Sequence, residues 1–302
     1  MKLKIYFSLL ISFAFVSNSV AQDLFKKQQI SLLEQWELVD TVKNQSGLFK
    51  IKQYKPVYIL MGNYTSDINE QPQSDNPNNS ASEAIPLDQV ELKFQISFKT
   101  KVFNNLMGVK LGGDIWMGYT QTSRWQVYNT ELSRPFRETN YEPEIMYIMP
   151  THYKIGGLKG LFAGIGFNHQ SNGRSDPLSR SWNRVVAQIA WESDCLSIVL
   201  KPWFRIQEAA DDDNNPGIEN YMGRGELMAA YGKGRQDLSL IVRHSMRLGE
   251  NNRGSIQIDY AFQIWDNLKL NAQLFHGYGE SMIDYNHKQT TFGIGLSLTQ
   301  WR

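Results

Sequence analysis

The residues of this sequence whose types and spacing can do chemistry lie in Gly166-Phe167-Asn168-His169-Gln170-Ser171-Asn172-Gly173-Arg174, with Ser179, Arg180, Ser181, Trp182, Asn183 and Arg184 close behind. A serine hydroxyl is a weak nucleophile until a neighbouring imidazole can take its proton, and the imidazole serves better when a third group fixes its tautomer. His169 and Ser171 stand two apart, which puts both on one face of a strand. Asn183 can fix the ring through its side-chain oxygen. A neutral amide steadies an imidazolium less than a carboxylate does, so a cation near the developing oxyanion would have to make up the difference. The turn Asn172-Gly173-Arg174 offers backbone N–H groups to an oxyanion, Gly173 foremost. Ser179, Asp176 and the turn carbonyls are hard oxygen ligands of the kind calcium takes, and the acidic run Asp211-Asp212-Asp213 offers a further carboxylate. Taken alone, a His and a Ser two apart are ordinary rim residues and an acidic run is an ordinary solvated loop. Arg174, Arg180 and Arg184 have an equally plain reading, lining a lumen or meeting lipopolysaccharide phosphates.

The elements that must position these groups alternate with period two. Val90, Leu92, Phe94, Ile96 and Phe98 share one parity while Glu91, Lys93, Gln95, Ser97 and Lys99 take the other, and the pattern returns at 255–264 and 291–299. Segments of this kind fall near 57–64, 88–102, 107–121, 142–151, 160–170, 183–193, 196–206, 222–232, 236–247, 254–264, 268–277 and 291–300, about twelve strands, an even number as transmembrane barrels prefer. Ser193-Asp194 and Gly232 to Arg235 read as tight periplasmic turns, whereas 170–182, 207–220 and 278–289 read as external loops. A soluble sandwich also alternates, but strands of about ten residues match a tilted crossing of a bilayer core. The expected fold is an all-β, twelve-stranded antiparallel transmembrane barrel of the bacterial outer membrane. His169 and Ser171 share the parity of Ile165 and Phe167, and Asn183 that of Val185, Ala187 and Ile189. If the apolar side faces lipid, all three converge on the outer wall, where a phospholipid is met. Gln121, in register with Leu111, Ile115 and Met117, is another polar group on that wall and calls for a partner there, such as a second barrel.

Composition agrees. Thirty-one basic and 30 acidic residues nearly cancel, which removes any electrostatic case for nucleic acid. Cys195 is the only cysteine, so stability must come from packing or closed hydrogen bonding. Eight Trp, 14 Tyr and 15 Phe suit aromatic belts at membrane interfaces. Met1-Lys2-Leu3-Lys4, the apolar run Ile5 to Val16 and Ser19-Val20-Ala21 read as a secretory signal peptide over 1–21. Residues 22–55, with Leu32-Leu33-Glu34-Gln35-Trp36-Glu37-Leu38, read as a short helix or arm across the periplasmic mouth, and 56–302 as the barrel. The Asn-, Gln-, Ser- and Pro-rich stretch from Asp67 to Ala84 is a long loop that cannot bury a core.

The run His169 to Arg174 followed by Ser179 to Arg184 resembles the active-site signature of the outer-membrane phospholipase A family. Pro135 to Pro143 and Gly277 to Asn286 resemble the same family, so the likeness spans roughly 90–300. The resemblance implies a Ser171, His169, Asn183 triad that hydrolyses glycerophospholipid acyl esters, with phospholipase A1, A2 and lysophospholipase activity. It also implies calcium as cofactor and activation as a homodimer, the acyl chain lying between two barrels. By motif position, Ser133 of the partner barrel, the Arg174 carbonyl and the Ser179 hydroxyl would hold calcium, Gly173 would supply the oxyanion N–H, and Gln121 falls at the dimer interface. The active site would face the outer leaflet. One departure stands out: Asn214 sits where the family has an aspartate, so Asp213 or Asp211 is the expected substitute. The rival expectation is a catalytically dead barrel serving as a passive pore or scaffold.

Overall fold

The structure is a computed structural model that describes residues 31–38, 47–108 and 112–302. The expected signal peptide, and residues 22–30 and 39–46 of the arm, lie outside the described residues. Twelve long strands form one antiparallel ring: β1 (Val57–Thr65), β2 (Val90–Phe103), β3 (Asp114–Trp125), β4 (Phe136–Pro150), β5 (Leu158–Ser171), β6 (Ser181–Glu192), β7 (Leu196–Ile206), β8 (Gly225–Lys233), β9 (Gln236–His244), β10 (Gly254–Trp265), β11 (Leu268–Tyr278) and β12 (Lys288–Thr299). Each pairs with the next, and β12 pairs with β1 to close the barrel. Short strands at Ile51–Gln53 and Lys154–Ile155 add to β2 and β5.

The parity of the sequence decides which face is which. Ile96, Phe98, Ile256, Ile258, Tyr260, Phe292 and Ile294 are exposed on the outside, while Lys93, Lys99, Arg124, Asp259 and Gln273 are buried in the lumen. Such an inside-out arrangement fits a protein whose outer solvent is hydrocarbon. Several of the buried charges are paired, Lys93 with Glu280 at 2.7 Å, Lys101 with Asp114 at 2.6 Å and Lys269 with Asp237 at 2.6 Å.

Two boundaries differ from the sequence reading. The third strand starts at Asp114 rather than near 107, because Gly112 and Gly113 in succession take φ of +64° and +89°, left-handed conformations that turn the chain instead of extending it. The fourth begins at Phe136 rather than near 142 and carries Pro143 in its middle. Pro143 has no N–H, and the β4–β5 ladder skips from Tyr141↔Ser171 to Glu144↔Asn168 without changing register. Pro202 leaves the same gap in the β6–β7 ladder, between Val186↔Trp203 and Ile189↔Leu200.

Both mouths are closed. At the end carrying the tight turns, the expected arm forms the helix α1 (Leu32–Gln35), capped by Ser31, and its Leu32 and Leu33 amides donate to Glu192. Trp36 then enters the lumen, meeting Trp116 edge-on at 5.4 Å and Tyr54 at 5.9 Å, with the Lys99 ammonium 3.2 Å from its ring centre. A cation over an indole face in a desolvated site is worth about 2 kcal/mol. At the other end, the loop between β1 and β2 lies across the barrel rather than in solvent. Its Asn69 donates to Asp284, Asn76 to the Asp213 carbonyl and Asn79 to Asp176. Ion pairs inside the lumen and covering segments at both ends weigh against a passive pore.

Trp36→Ala is expected to cost about 3–5 kcal/mol, the usual loss for a buried tryptophan. Denaturant unfolding of the micelle-refolded protein would check this; an unchanged midpoint would put Trp36 outside the cooperative unit.

Candidate active site

Ser171 closes β5 and His169 stands two residues before it, both on the outer face with the exposed Ile165 and Phe167. The β5–β6 register sets His169 directly opposite Asn183 and Ser171 opposite Ser181. His169 Nδ1 lies 2.8 Å from Asn183 Oδ1. With Nδ1 so engaged, Nε2 is the ring nitrogen left for the Ser171 hydroxyl. The lumenal sides of the same strands hold this register rigid. Trp182 is fully buried and donates from Nε1 to Gln170 at 2.9 Å, and Arg184 lies over the Trp182 ring at 4.1 Å while donating from Nε to Asn168 at 3.0 Å. Glu142 completes that cluster, 3.2 Å from Arg184.

The turn from β5 to β6 is shaped by Asn172, itself buried. Its Oδ1 accepts from the Arg174 and Arg180 amides at 3.3 and 2.9 Å, and its Nδ2 donates to the Leu178 carbonyl at 2.8 Å. Gly173 takes φ +59°, and a Cβ there would sit 2.5 Å from the Tyr141 ring, so both backbone and space demand glycine. Arg180, also buried, donates to the Ser179 carbonyl at 2.7 Å and to the Gln73 carbonyl of the covering loop. An outward serine, histidine and asparagine beside a glycine turn is the layout an acyl-transferring site needs.

A sequence model of the phospholipase A1 family matches residues 32–298. The chain is 39% identical over 267 residues to the putative phospholipase A1 of Neisseria meningitidis serogroup B, an alignment covering 86% of this chain and 68% of that one. It is 34% identical over 261 residues to the phospholipase A1 of Salmonella typhimurium, covering 86% of each. The chain belongs to the phospholipase A1 family. It is therefore an enzyme of lipid-ester hydrolysis, built on a barrel of the bacterial outer membrane. The fold matches the outer membrane phospholipase A from Escherichia coli with a TM-score of 0.73 at 34% identity, covering 85% of this chain and 94% of that one. It matches a Salmonella typhi outer membrane phospholipase dimer with bound calcium equally well, with a TM-score of 0.73 at 33% identity, covering 85% and 95%.

Within this phospholipase fold the expected metal ligands separate into two groups. Ser179 is at the turn, and its hydroxyl accepts from Asn214 Nδ2 at 2.8 Å. Ser133, in the β3–β4 loop, has φ +56°, an uncommon conformation for a residue with a side chain. Asp213 is elsewhere: its carboxylate is buried against Arg205 at 2.7 Å and accepts from the Asn215 amide at 3.0 Å. Asp211 is exposed on the same loop. In this geometry Arg205 holds Asp213, and Asn214 is the residue of that loop that stands beside Ser179. Gln121 lies on the outer wall as expected, but it already has partners in its own barrel, accepting from Tyr119 Oη at 3.0 Å and donating to Ser123 Oγ at 3.3 Å. An amide has two donors and two acceptor sites, so capacity remains for a second copy.

One contact is absent from the sequence reading. Asn183 Nδ2 donates to Glu208 Oε1 at 3.1 Å. Phe204 and Ile206 are exposed on the outer wall, and Glu208 continues their parity two residues past the end of β7. That parity was a usable signal.

Gly173→Ala should leave a folded barrel with a displaced turn, cutting phospholipase turnover by roughly 10²–10³-fold if the turn supplies an oxyanion donor. Fatty-acid release beside the heat-dependent gel mobility of the folded barrel checks both halves; near-normal release would remove the turn from catalysis.

Proposed function

We propose that this phospholipase cleaves acyl esters of glycerophospholipids, with both A1 and A2 positions and lysophospholipids as substrates, through a Ser171, His169, Asn183 triad. The observation that carries the reading is the 2.8 Å His169–Asn183 contact on the same outer face as Ser171, in a family of phospholipases. His169 Nε2 takes the Ser171 proton as Ser171 Oγ bonds to the ester carbonyl carbon. The tetrahedral adduct collapses by breaking the bond to the glycerol oxygen, which receives that proton from His169. Water then repeats the sequence on the acyl-serine, His169 taking its proton and returning it to Ser171 as the fatty acid leaves. Asn183 holds the ring, and the Gly173 N–H faces the developing oxyanion.

Calcium is the proposed cofactor, supported by the Salmonella typhi relative, whose dimer is described with bound calcium. The residues present fit a hard cation. The Arg174 carbonyl, the Ser179 hydroxyl and the Asn214 amide are oxygen-bearing groups on adjoining turns, and Ser133 of a second copy would complete them. Turning the Asn214 amide end for end would present its oxygen, a neutral ligand in place of a carboxylate. When bound, the ion would offset charge on the oxyanion, the assistance a neutral Asn183 leaves wanting. Dimerisation across the wall bearing Gln121 would then bring both the ligand and half of the acyl groove. We further propose that residues 1–21 are an export signal, that 22–55 form the periplasmic arm preceding the barrel domain 56–302, and that the site faces the outer leaflet.

The test is fatty-acid release from mixed phospholipid–detergent micelles, with calcium and with chelator. Ser171→Ala and His169→Ala are expected to lose a factor on the order of 10³ or more, and chelator to abolish release by the wild type. Crosslinking should show calcium and substrate raising the dimer fraction. Wild-type turnover in Ser171→Ala would reject the triad, and chelator-resistant turnover would reject the cofactor.

A further inference from the structure

The two ends of a carboxamide have the same shape and opposite hydrogen-bonding character. An asparagine beside an imidazole therefore selects a tautomer only if something fixes which end faces the ring. With Oδ1 toward His169, Nδ1 carries the proton and Nε2 keeps the lone pair that Ser171 needs. With Nδ2 toward the ring, Nδ1 must be bare and Nε2 protonated, and the neutral histidine cannot accept the serine proton. In the structure Oδ1 of Asn183 faces His169 Nδ1 at 2.8 Å, and Nδ2 faces Glu208 Oε1 at 3.1 Å. An ionised carboxylate accepts and cannot donate, so one amide orientation alone satisfies both contacts.

We propose that Glu208 is a positioning residue of the hydrolytic site, acting through Asn183 to hold His169 in its Nδ1–H tautomer and to favour the imidazolium formed during ester attack. The proposal rests on the triad reading above and extends it to a fourth side chain. It also supplies charge that the triad lacks, since Asn183 is neutral and a carboxylate one amide away stabilises a nearby cation.

The surroundings leave Glu208 available for this role. The charged and titratable groups facing it are Arg205 on β7, Asp213 from the loop that carries Glu208 itself, and His169 across β6. Arg205 and Asp213 are paired with each other at 2.7 Å, and Arg205 also meets Glu219 at 3.2 Å. His169 is thus the group whose new charge Glu208 can answer. Burial raises the Glu208 carboxyl above its ordinary value against the pull of Arg205, with Asp213 raising it further and the Asn183 hydrogen bond and His169 opposing. A carboxylate in that balance responds to charge appearing on the ring.

Glu208→Gln keeps the acceptor shape but removes the charge, and its own amide can turn over, so both functions of Glu208 are lost with little effect on packing. The protein carries 5 histidines, and ¹⁵N labelling of their rings in micelles reports each tautomer directly, with His169 assigned by its absence in His169→Ala. The wild type is expected to show His169 as the Nδ1–H form once neutral, and Glu208→Gln a mixture of both forms. In the same variant kcat should fall roughly three- to tenfold with KM unchanged, less than the loss of a triad member. The acid limb of its pH–kcat/KM profile should move to lower pH, because removing a nearby negative charge makes the ring easier to deprotonate. Glu208→Asp, which restores the charge at shorter reach, should recover part of both. A Glu208→Gln protein with the wild-type tautomer and a superimposable pH profile would overturn the proposal, even with a lowered unfolding temperature, since that is all a structural role predicts. A tautomer change in protein that never releases fatty acid would instead sink the hydrolytic reading and leave the coupling standing.

Discussion

Hydrocarbon offers no hydrogen bonds, and that single constraint orders the whole molecule. A backbone crossing it must satisfy every N–H and C=O within the protein, and for strands this means a ring without edges. Closure through the β12–β1 ladder is therefore as necessary as any strand. Once the ring is closed, period two sorts side chains into an apolar wall and a polar lumen, and any polar group on the wall must be answered locally or by what the wall meets. Pro143 and Pro202 mark places where the constraint is relaxed, each leaving a gap on one side of a strand while the register runs on.

The proposed active site is an exception to that wall, arranged so that its cost is shared. His169 and Asn183 meet across β5 and β6, and Asn183 donates outward from Nδ2 to Glu208. Beneath them, Trp182, Gln170, Arg184 and Asn168 lock the same two strands from inside. The loop over the mouth opposite the tight turns reaches the β5–β6 turn through Asn79–Asp176 and Arg180–Gln73 and the next loop through Asn76–Asp213. The covering loop and the β5–β6 turn thus form one hydrogen-bonded layer, and the polar composition that kept residues 67–84 from forming a core is what makes that layer possible.

The parts of this design that depend on local alternation could be read from the sequence. The facing of Val90 to Phe98, of Phe292 to Leu298 and of His169, Ser171 and Asn183 follows from parity, and the structure keeps every one of those assignments. What escaped were contacts between distant residues. Asp213 looked like a free carboxylate because Arg205, its partner, had no sequence feature tying the two together. Trp36 reads from sequence only as part of a short helix or an arm across the periplasmic mouth, since Trp116 and Lys99, which receive it, come from distant strands. The start of β3 was misplaced because Val109 and Leu111 continue an apolar parity up to the Gly112–Gly113 turn. Glu208 was overlooked for a different reason: its parity was legible, but it lies past the strand end, where alternation is normally abandoned.

That position bears on why the third member of the proposed triad is an amide. The residue that fixes His169 must sit on the wall, in line with Val185 and Ala187. Charges on a lipid-facing wall cost about 2–4 kcal/mol for basic side chains at mid-depth and about 0–1 near the interfaces, with acidic ones costing less. A carboxylate placed directly at position 183 would bear whatever penalty that depth imposes in every resting molecule, whereas the imidazolium it answers exists only during turnover. An amide at the wall with a carboxylate one step farther along, in the loop beyond β7, keeps the permanent charge out of the strand region while its field still reaches the ring. The neutral Asn183 is then not a weakened aspartate but the conducting half of a pair whose charged half has been moved toward water.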